Sequence, residues 1–445
     1  MTAWSLEQAQ THLLGLELFG MSLGLERMHK LLGELSSPQA GLRAVHVVGT
    51  NGKSSTTRMT ARILEAHDFK TGAFLSPHLK SFTERIRIGG GDITSSAFAS
   101  AVQAAAEAAA RVDAESPSGD RVTQFELLTA AGLLSFSRAG VDVAVVEAGL
   151  GGRLDATNVL GAPVVALTSV GLEHTRWLGT TEAAIAAEKL AVLTPQATLV
   201  TGPLPPAARD VARETAATRG ARLVEVAEAG PSMAACAAPA AEVLAGVGED
   251  PSAFLSGSAP AVGQTLLLGY QETNWAVAVA AAESLVGSLD ARKMHLAKQN
   301  VQVPGRLHVL GLDPLTIADG AHNPDGIRAL VASLGSMALA QAGPRYAVVS
   351  ILDDKDAAEM LSVLRAQCDG VYLTQVANPR ALSAEALRQL ASAGRAELFA
   401  EPDPQRALAA ARASAGYQGT VVATGSIYLV GELLDTVGER VPSTL

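Results

Sequence analysis

Several short segments of this chain carry residue types that could handle a phosphorylated ligand. The first is Gly49-Thr50-Asn51-Gly52-Lys53-Ser54-Ser55. Glycines let a backbone curl so that successive N–H groups point at one phosphate. A lysine adds a point charge for the outer phosphates, and a helix start adds a favourable dipole. The segment falls short of the full Walker pattern, because Val47 stands where that pattern has its first glycine. The plain alternative is an ordinary glycine turn capped by serine. An apolar strand before the segment and a helical stretch after it favour ATP binding.

Other candidates follow runs that read as strands. Glu147 closes the apolar run Val141–Glu147 and precedes Ala148-Gly149-Leu150-Gly151-Gly152-Arg153-Leu154-Asp155. A carboxylate there can hold magnesium against phosphates, or simply face solvent at a strand end. His174 follows Glu173 just past the run Val164–Val170, and Glu188-Lys189 lies on a helical stretch further on. A lone histidine or a Glu-Lys neighbour pair is more often structural than functional. Ser76 opens Ser76-Pro77-His78 and offers a hydroxyl to a metal or to a turn. In the last third, Asp319-Gly320-Ala321-His322-Asn323-Pro324 and Asp354-Lys355-Asp356 each follow an apolar run. Arg306 comes directly after Pro304-Gly305, an expected hinge, where a cation clamps a phosphate only when domains close.

The elements that must position these groups are legible in outline. Residues 1–40 read as helical, with Leu13, Leu14, Leu16 and Leu18 followed by Met28, Leu31, Leu32 and Leu35. Strands are predicted at Val45–Val48, Thr71–Leu75, Val141–Glu147 and Val164–Val170, with helices over 55–67, 97–112 and 125–139 and a loop at 116–119. Buried strands alternating with helices imply a mostly parallel sheet, which binds ligands at the C-terminal edge of its strands. Residues 200–262 are rich in Ala, Pro and Gly with weak periodicity, and a partly irregular segment is expected there. A helix is predicted at Trp275–Leu285. A second α/β run begins near Pro304, with strands at Thr316–Ala318, Tyr346–Ile351, Val371–Thr374 and Thr420–Ala423. The expected fold class is α/β: a P-loop mononucleotide-binding domain with a mostly parallel sheet over residues 1–298, and a smaller Rossmann-like α/β C-terminal domain over 299–445.

Composition narrows the classes. The chain has 445 residues, 48% of them apolar, with 34 basic against 44 acidic groups. An acidic balance argues against a nucleic-acid partner, while leaving room for a phosphate ligand held by a few local cations. Two separated cysteines, Cys236 and Cys368, give neither a disulfide framework nor a zinc pattern. The opening residues carry Glu7, Gln8, Gln10 and His12, unlike a signal peptide, and no apolar run reaches the ~18 residues of a membrane span. The expectation is a cytoplasmic protein with no membrane partner.

Taken in order, the motifs resemble those of folylpolyglutamate synthases and dihydrofolate synthases, within the Mur ligase superfamily. The matching segments are GLER (24–27), GTNGK (49–53), SPHL (76–79), FTERI (82–86), GLGGRLDATN (149–158), EHTRWLGTT (173–181), EK (188–189), PGR (304–306), DGAHNP (319–324), DDKD (353–356) and GSIYLVGE (425–432). The resemblance implies an ATP loop from Gly49 to Ser55, and magnesium held by Ser76, Glu147 and His174. It implies a carbamylated Lys189 on a second magnesium, and ATP contacts from Asn274, Arg306 and Asp319. Thr123, Gln124, Phe125, Glu126, Leu154, Asp155 and Ala156 would line a pterin pocket. His322 would serve the substrate in the second domain. Lys53, His174 and Lys189 would act in catalysis.

The implied reaction is ATP-driven joining of L-glutamate to a folate carboxylate through an acyl phosphate, with tetrahydrofolate or dihydropteroate as acceptor. Water would have to be kept from the acyl phosphate, as closure of two domains would do. A monomer is expected, since one chain could enclose both substrates. The sequence departs from the family at Ser54, where most relatives carry glycine. It departs again at Glu173, usually Asp, and at Ser22, where many dual-activity bacterial enzymes place an Asp facing the pterin. Two rivals remain. A cell-wall Mur ligase would carry a substrate domain of roughly a hundred residues ahead of its ATP loop, whereas 48 residues precede Gly49 here. A non-catalytic nucleotide switch would have no use for the second-domain set.

Overall fold

The computed structural model describes residues 3–17, 24–116, 120–227, 261–335, 343–392 and 394–434. These fall into two compact units. One takes the chain up to Ala227 together with Asn274–Val301; the other takes residues 261–273 and those from Gln302 onward.

The first unit is built on eight strands: β1 (Arg43–Val48), β2 (Thr71–Phe74), β3 (Ile86–Ile88), β4 (Gly91–Asp92), β5 (Val143–Glu147), β6 (Val164–Leu167), β7 (Thr198–Thr201) and β8 (Arg222–Glu225). Their order is β4-β3-β2-β5-β1-β6-β7-β8. Pairing is parallel except where β3 meets β2 and β4. Strands β5 and β6 are buried along their whole length, as their unbroken apolar runs require in a sheet covered on both faces. The register sets Val47 opposite Glu147, so the loop after β1 and the acid ending β5 share one sheet edge.

Helix Gln124–Ala139 shows how the sequence fixes the cover of this sheet. Thr123 caps its start in a capping box with Glu126, and Gly140 ends it in the left-handed region. It buries Leu127, Leu128, Leu133 and Phe136 in a core shared with Phe74, Ala144 and Val146. Each such side chain contributes about 1.5–3 kcal/mol through burial.

The second unit carries six strands: β9 (His308–Leu312), β10 (Leu315–Ala318), β11 (Arg345–Val349), β12 (Gly370–Leu373), β13 (Glu397–Ala400) and β14 (Thr420–Thr424). Their order is β13-β12-β11-β14-β10-β9, parallel except for β9 against β10. Both sheets bear out the α/β class with largely parallel strands.

Three local expectations are corrected. Residues 1–40 are not one helical stretch; the helices are Leu6–Leu14 and Glu26–Glu34. Strand β6 stops at Leu167 rather than Val170, because Thr168 to Gly171 turn to brace the loop after β1. Within the segment expected to be irregular, residues 200–227 hold the end of β7, the helix Pro206–Thr218 and β8. Alanines at 208, 212 and 216 bury one face of that helix, a small-residue stripe that reads weakly as a period. Residues 228–260 of that segment, Cys236 among them, and Ser22 lie outside the described residues, as does the 117–119 part of the predicted loop. Among the described residues, no helix is long and apolar enough to cross a membrane.

Candidate active site

The loop after β1 is held in shape by the loop after β6. Thr50 N–H donates to Ser169 O at 2.9 Å, and Asn51 N–H to Ser169 Oγ at 2.9 Å. Thr168 Oγ1 donates to Asn51 O at 2.6 Å, and Gly171 N–H to Thr50 Oγ1 at 3.1 Å. Gly52 has φ +88° and caps the helix Lys53–Ala66. A Cβ there would collide with the amide of Asn274, which places Asn274 directly on the loop. Sequence reasoning missed Thr168, Ser169 and Gly171; the break in the apolar run after Leu167 is the signal that could have found them.

Two lysines serve this loop. Lys53 Nζ donates to Gly49 O at 3.1 Å and to Thr50 O at 3.0 Å. Lys189, at the end of helix Glu182–Lys189, is buried and donates to Gly49 O at 2.8 Å. Burial, and next the nearby charge of Lys53, push the Lys189 ammonium down to about 7. Ser55 is 1% exposed and its hydroxyl has no hydrogen-bond partner. An incoming phosphate oxygen would satisfy such an orphaned group at a helix start. Thr56, Thr57 and Thr60 of the same helix share that state, so Ser55 supports the reading only alongside the loop geometry.

Glu147 is the acid of this edge, 1% exposed. Ser54 Oγ donates to its Oε1 at 2.8 Å, and Ser76 N–H donates to its Oε2 at 3.0 Å. The structure therefore joins Ser54, Ser76 and Glu147 directly. His174 is placed differently. It has φ +51°, precedes the short helix Thr175–Leu178, and sets Nε2 3.9 Å from Glu173 Oε1 with an exposed ring. Among the described residues there is no group of three or more His, Cys, Asp or Glu side chains arranged to hold a metal. The buried Glu147 carboxylate, with the Ser54 hydroxyl beside it, still fits magnesium, a hard cation that keeps several waters and phosphate oxygens and needs only one or two carboxylates.

The glycine-rich loop from Gly149 to Asn158 is organised from within. Asp155 accepts Leu150 N–H at 2.8 Å and Thr157 N–H at 3.0 Å, and it also takes the Thr157 hydroxyl. Burial raises the Asp155 carboxyl above its usual range, against the pull of those bonds. His46 on β1 lies 2.8 Å from Thr157 Oγ1, and burial lowers its imidazole to about 4, so the ring is neutral. Gly152 sits on the end of the Lys189 helix, where a Cβ would stand 2.5 Å from Lys189 O. Phe125 packs against Gly149, Ala156 is buried and Leu154 is exposed. Thr123 and Glu126 close the capping box, and Glu126 also pairs with Arg27 at 2.9 Å. Arg27 belongs to the GLER segment at 24–27, and its partner at 126 emerges only from the fold.

In the second unit Asp319 directly follows β10 and is buried. It accepts Leu307 N–H at 2.8 Å, Ala321 N–H at 2.9 Å and the hydroxyl of Tyr270. Burial, and then the Asp319 charge, raise the Tyr270 phenol well above its ordinary value. Arg306 lies over Gly320, where a Cβ would meet its guanidinium. His322 Nδ1 is 2.8 Å from Gly320 O. Tyr270 had no sequence signal.

Comparisons with known proteins bear on the fold and the family. Residues 305–427 match the family described as Mur ligase, glutamate ligase domain. The folylpolyglutamate synthase of Lacticaseibacillus casei is 35% identical over 425 residues, 92% of this chain and 94% of that one. The Mycobacterium tuberculosis folylpolyglutamate synthase complexed with ADP superposes with a TM-score of 0.83 at 28% identity, covering 97% of this chain and 99% of the other. The Yersinia pestis bifunctional folylpolyglutamate synthase/dihydrofolate synthase complexed with AMPPNP and Mn ion gives 0.78 at 30% identity, with 97% of each chain covered. The chain spans about half the length of one relative, the probable bifunctional folylpolyglutamate synthase/dihydropteroate synthase of Haloferax volcanii, at 34% identity over 96% of this chain.

Proposed function

This chain belongs to the folylpolyglutamate synthase and dihydrofolate synthase family of Mur-type ligases, and we propose on that ground that it joins L-glutamate to a folate carboxylate at the expense of ATP. The observation that carries the reading is the shared edge of β1 and β5. There two lysines converge on Gly49 O, and a buried acid faces the hydroxyl that follows Lys53.

A carboxylate is a poor electrophile in water, so the γ-phosphoryl group of ATP is transferred to it, giving an acyl phosphate. The amine of glutamate then attacks the acyl carbon and phosphate leaves. Lys53 and the loop from Gly49 to Ser55 would hold the triphosphate and spread the charge that develops on transfer. Asn274, Arg306 and Asp319 are assigned to ATP as well. We assign nucleotide binding to residues 1–298 and glutamate handling, with His322, to residues 299–445. Thr123, Phe125, Glu126, Leu154, Asp155 and Ala156 are assigned to the pterin side. Glu126 and Asp155 would act there largely by holding the shape of their own segments, given the partners they already have.

Ser76, Glu147 and His174 would hold magnesium, with Lys189 on a second ion. Magnesium would supply charge neutralisation at the phosphates. A buried amine held near 7 is partly neutral at cellular pH, the form that reacts with carbon dioxide, which supports carbamylation of Lys189. Dependence on ATP and reduced folates supports a cytoplasmic setting, and a monomer would suffice because every assigned group comes from one chain. Incubation with ATP, magnesium, glutamate and either tetrahydrofolate or dihydropteroate, with product masses read out, tests the proposal. A gain of one glutamyl residue on either acceptor is expected. Nucleotide binding without turnover on both would point to the switch reading instead.

A further inference from the structure

We propose that Ser54 is itself a ligand of the metal at Glu147, a role that rests on the reading of Glu147 as the metal's carboxylate. Three observations meet here. Ser54 directly follows the loop lysine, the position whose hydroxyl meets magnesium in full P-loops. Its Oγ lies 2.8 Å from Glu147 Oε1. Oxygens bound side by side on an octahedral ion with bonds of about 2.1 Å sit roughly 3 Å apart, so this spacing suits two ligands of one ion. The third is the fixed setting of the acid: Ser76 N–H holds Oε2 at 3.0 Å, and Glu147 is 1% exposed at the end of a strand buried throughout. The oxygen that meets Ser54 is therefore presented in one orientation.

The hydroxyl has the capacity for both tasks. It carries one proton and two lone pairs, so it can keep donating to the carboxylate while a lone pair faces a cation. A neutral hydroxyl beside a carboxylate also suits magnesium in kind, since both are hard oxygen donors. The consequence is a metal site with a donor contributed by the nucleotide loop itself. The same short segment would then touch both the phosphates and their counter-ion.

The test compares Mn2+ binding, read by electron paramagnetic resonance in the presence of a non-hydrolysable ATP analogue, across wild type, Ser54→Ala, Ser54→Cys and Glu147→Gln. Ser54→Ala is expected to weaken Mn2+ by about tenfold or more, the scale that even an outer partner of a metal ligand carries. Ser54→Cys is expected to shift the site's preference from Mg2+ toward the thiophilic Cd2+, by at least about tenfold in competition against Mn2+. Unchanged or tighter Mn2+ binding in Ser54→Ala overturns the proposal. So does an unshifted Cd2+ preference in Ser54→Cys, which would leave Ser54 as a hydrogen-bond donor to Glu147 alone. Wild-type Mn2+ binding in Glu147→Gln would instead remove the underlying assignment of the acid, a failure distinct from the other two.

Discussion

The C-terminal ends of β1 and β5 in the first unit and of β10 in the second occupy the same place in an α/β sheet, yet they hold their charges differently. At the first, Lys53 and Lys189 rest on loop carbonyls and Glu147 takes one hydroxyl and one N–H. At the second, Asp319 is gripped by two backbone N–H groups and a half-buried phenol. Lysines resting on loop carbonyls can turn to a ligand with little rearrangement, and Glu147, fixed as it is, keeps one oxygen beside the Ser54 hydroxyl rather than closing a turn of its own. An acid that closes a backbone turn cannot leave without breaking it. Position at a strand end thus nominates a residue, and its existing partners say whether it is poised to act or to hold.

The largest effects are expected from mutation at the first of these edges. Lys53→Met and Glu147→Gln are expected to lower turnover by about a thousandfold, the scale of losing one preorganised electrostatic group. Both should leave thermal unfolding close to wild type. Glutamate-dependent phosphate release and a melting curve together read this out. A large loss of folding with Glu147→Gln would make that acid a holder as well.

Next in size is Lys189. Its ammonium is lowered from 10.5 to about 7, so below about pH 7 the folded chain carries a buried charge at full cost. Between about 7 and 10.5 the unfolded chain binds more protons than the folded one, and stability rises with pH through that window. Lys189→Met should therefore stabilise most below pH 7, by an amount on the order of a few kcal/mol, and the gain should shrink as pH climbs toward 10.5. Denaturant titrations across that range, run without metal and free of bicarbonate so that Lys189 stays an unmodified amine, check the sign. A gain that grows with pH would contradict the cause assigned to the shift.

Two smaller effects sharpen the account. Gly152→Ala forces a Cβ against the backbone of Lys189 and Glu188. It should cost about 1–3 kcal/mol of stability by overpacking, and turnover should fall as the Lys189 helix shifts. Tyr270→Phe removes the phenol from Asp319 and should cost about 1.5–3 kcal/mol, seen as earlier unfolding of the second unit.

Much of the first unit was legible because its strands are unbroken apolar runs with chemistry directly after them. The loop at Gly49, the acid at Glu147 and the helix beginning near Ser55 all follow from that pattern. What escaped was whatever depends on the partner of a residue. Thr168 and Ser169 look like a fading strand until the loop they brace is in place. Ser54 looks like a departure from the family's glycine until Glu147 is seen beside it. Helix Pro206–Thr218 was hidden by its alanines, which bury a face without announcing a period. Tyr270 holds Asp319 across 49 residues of sequence, a relation no local spacing encodes.

The acyl phosphate is the centre of the account, and its formation leaves a trace in the products. Supplying tetrahydrofolate labelled with heavy oxygen in its reacting carboxylate, together with ATP, magnesium and glutamate, should yield inorganic phosphate carrying one labelled oxygen for each amide bond formed. Phosphate released without label, at the same rate as amide formation, would contradict phosphorylation of the acid.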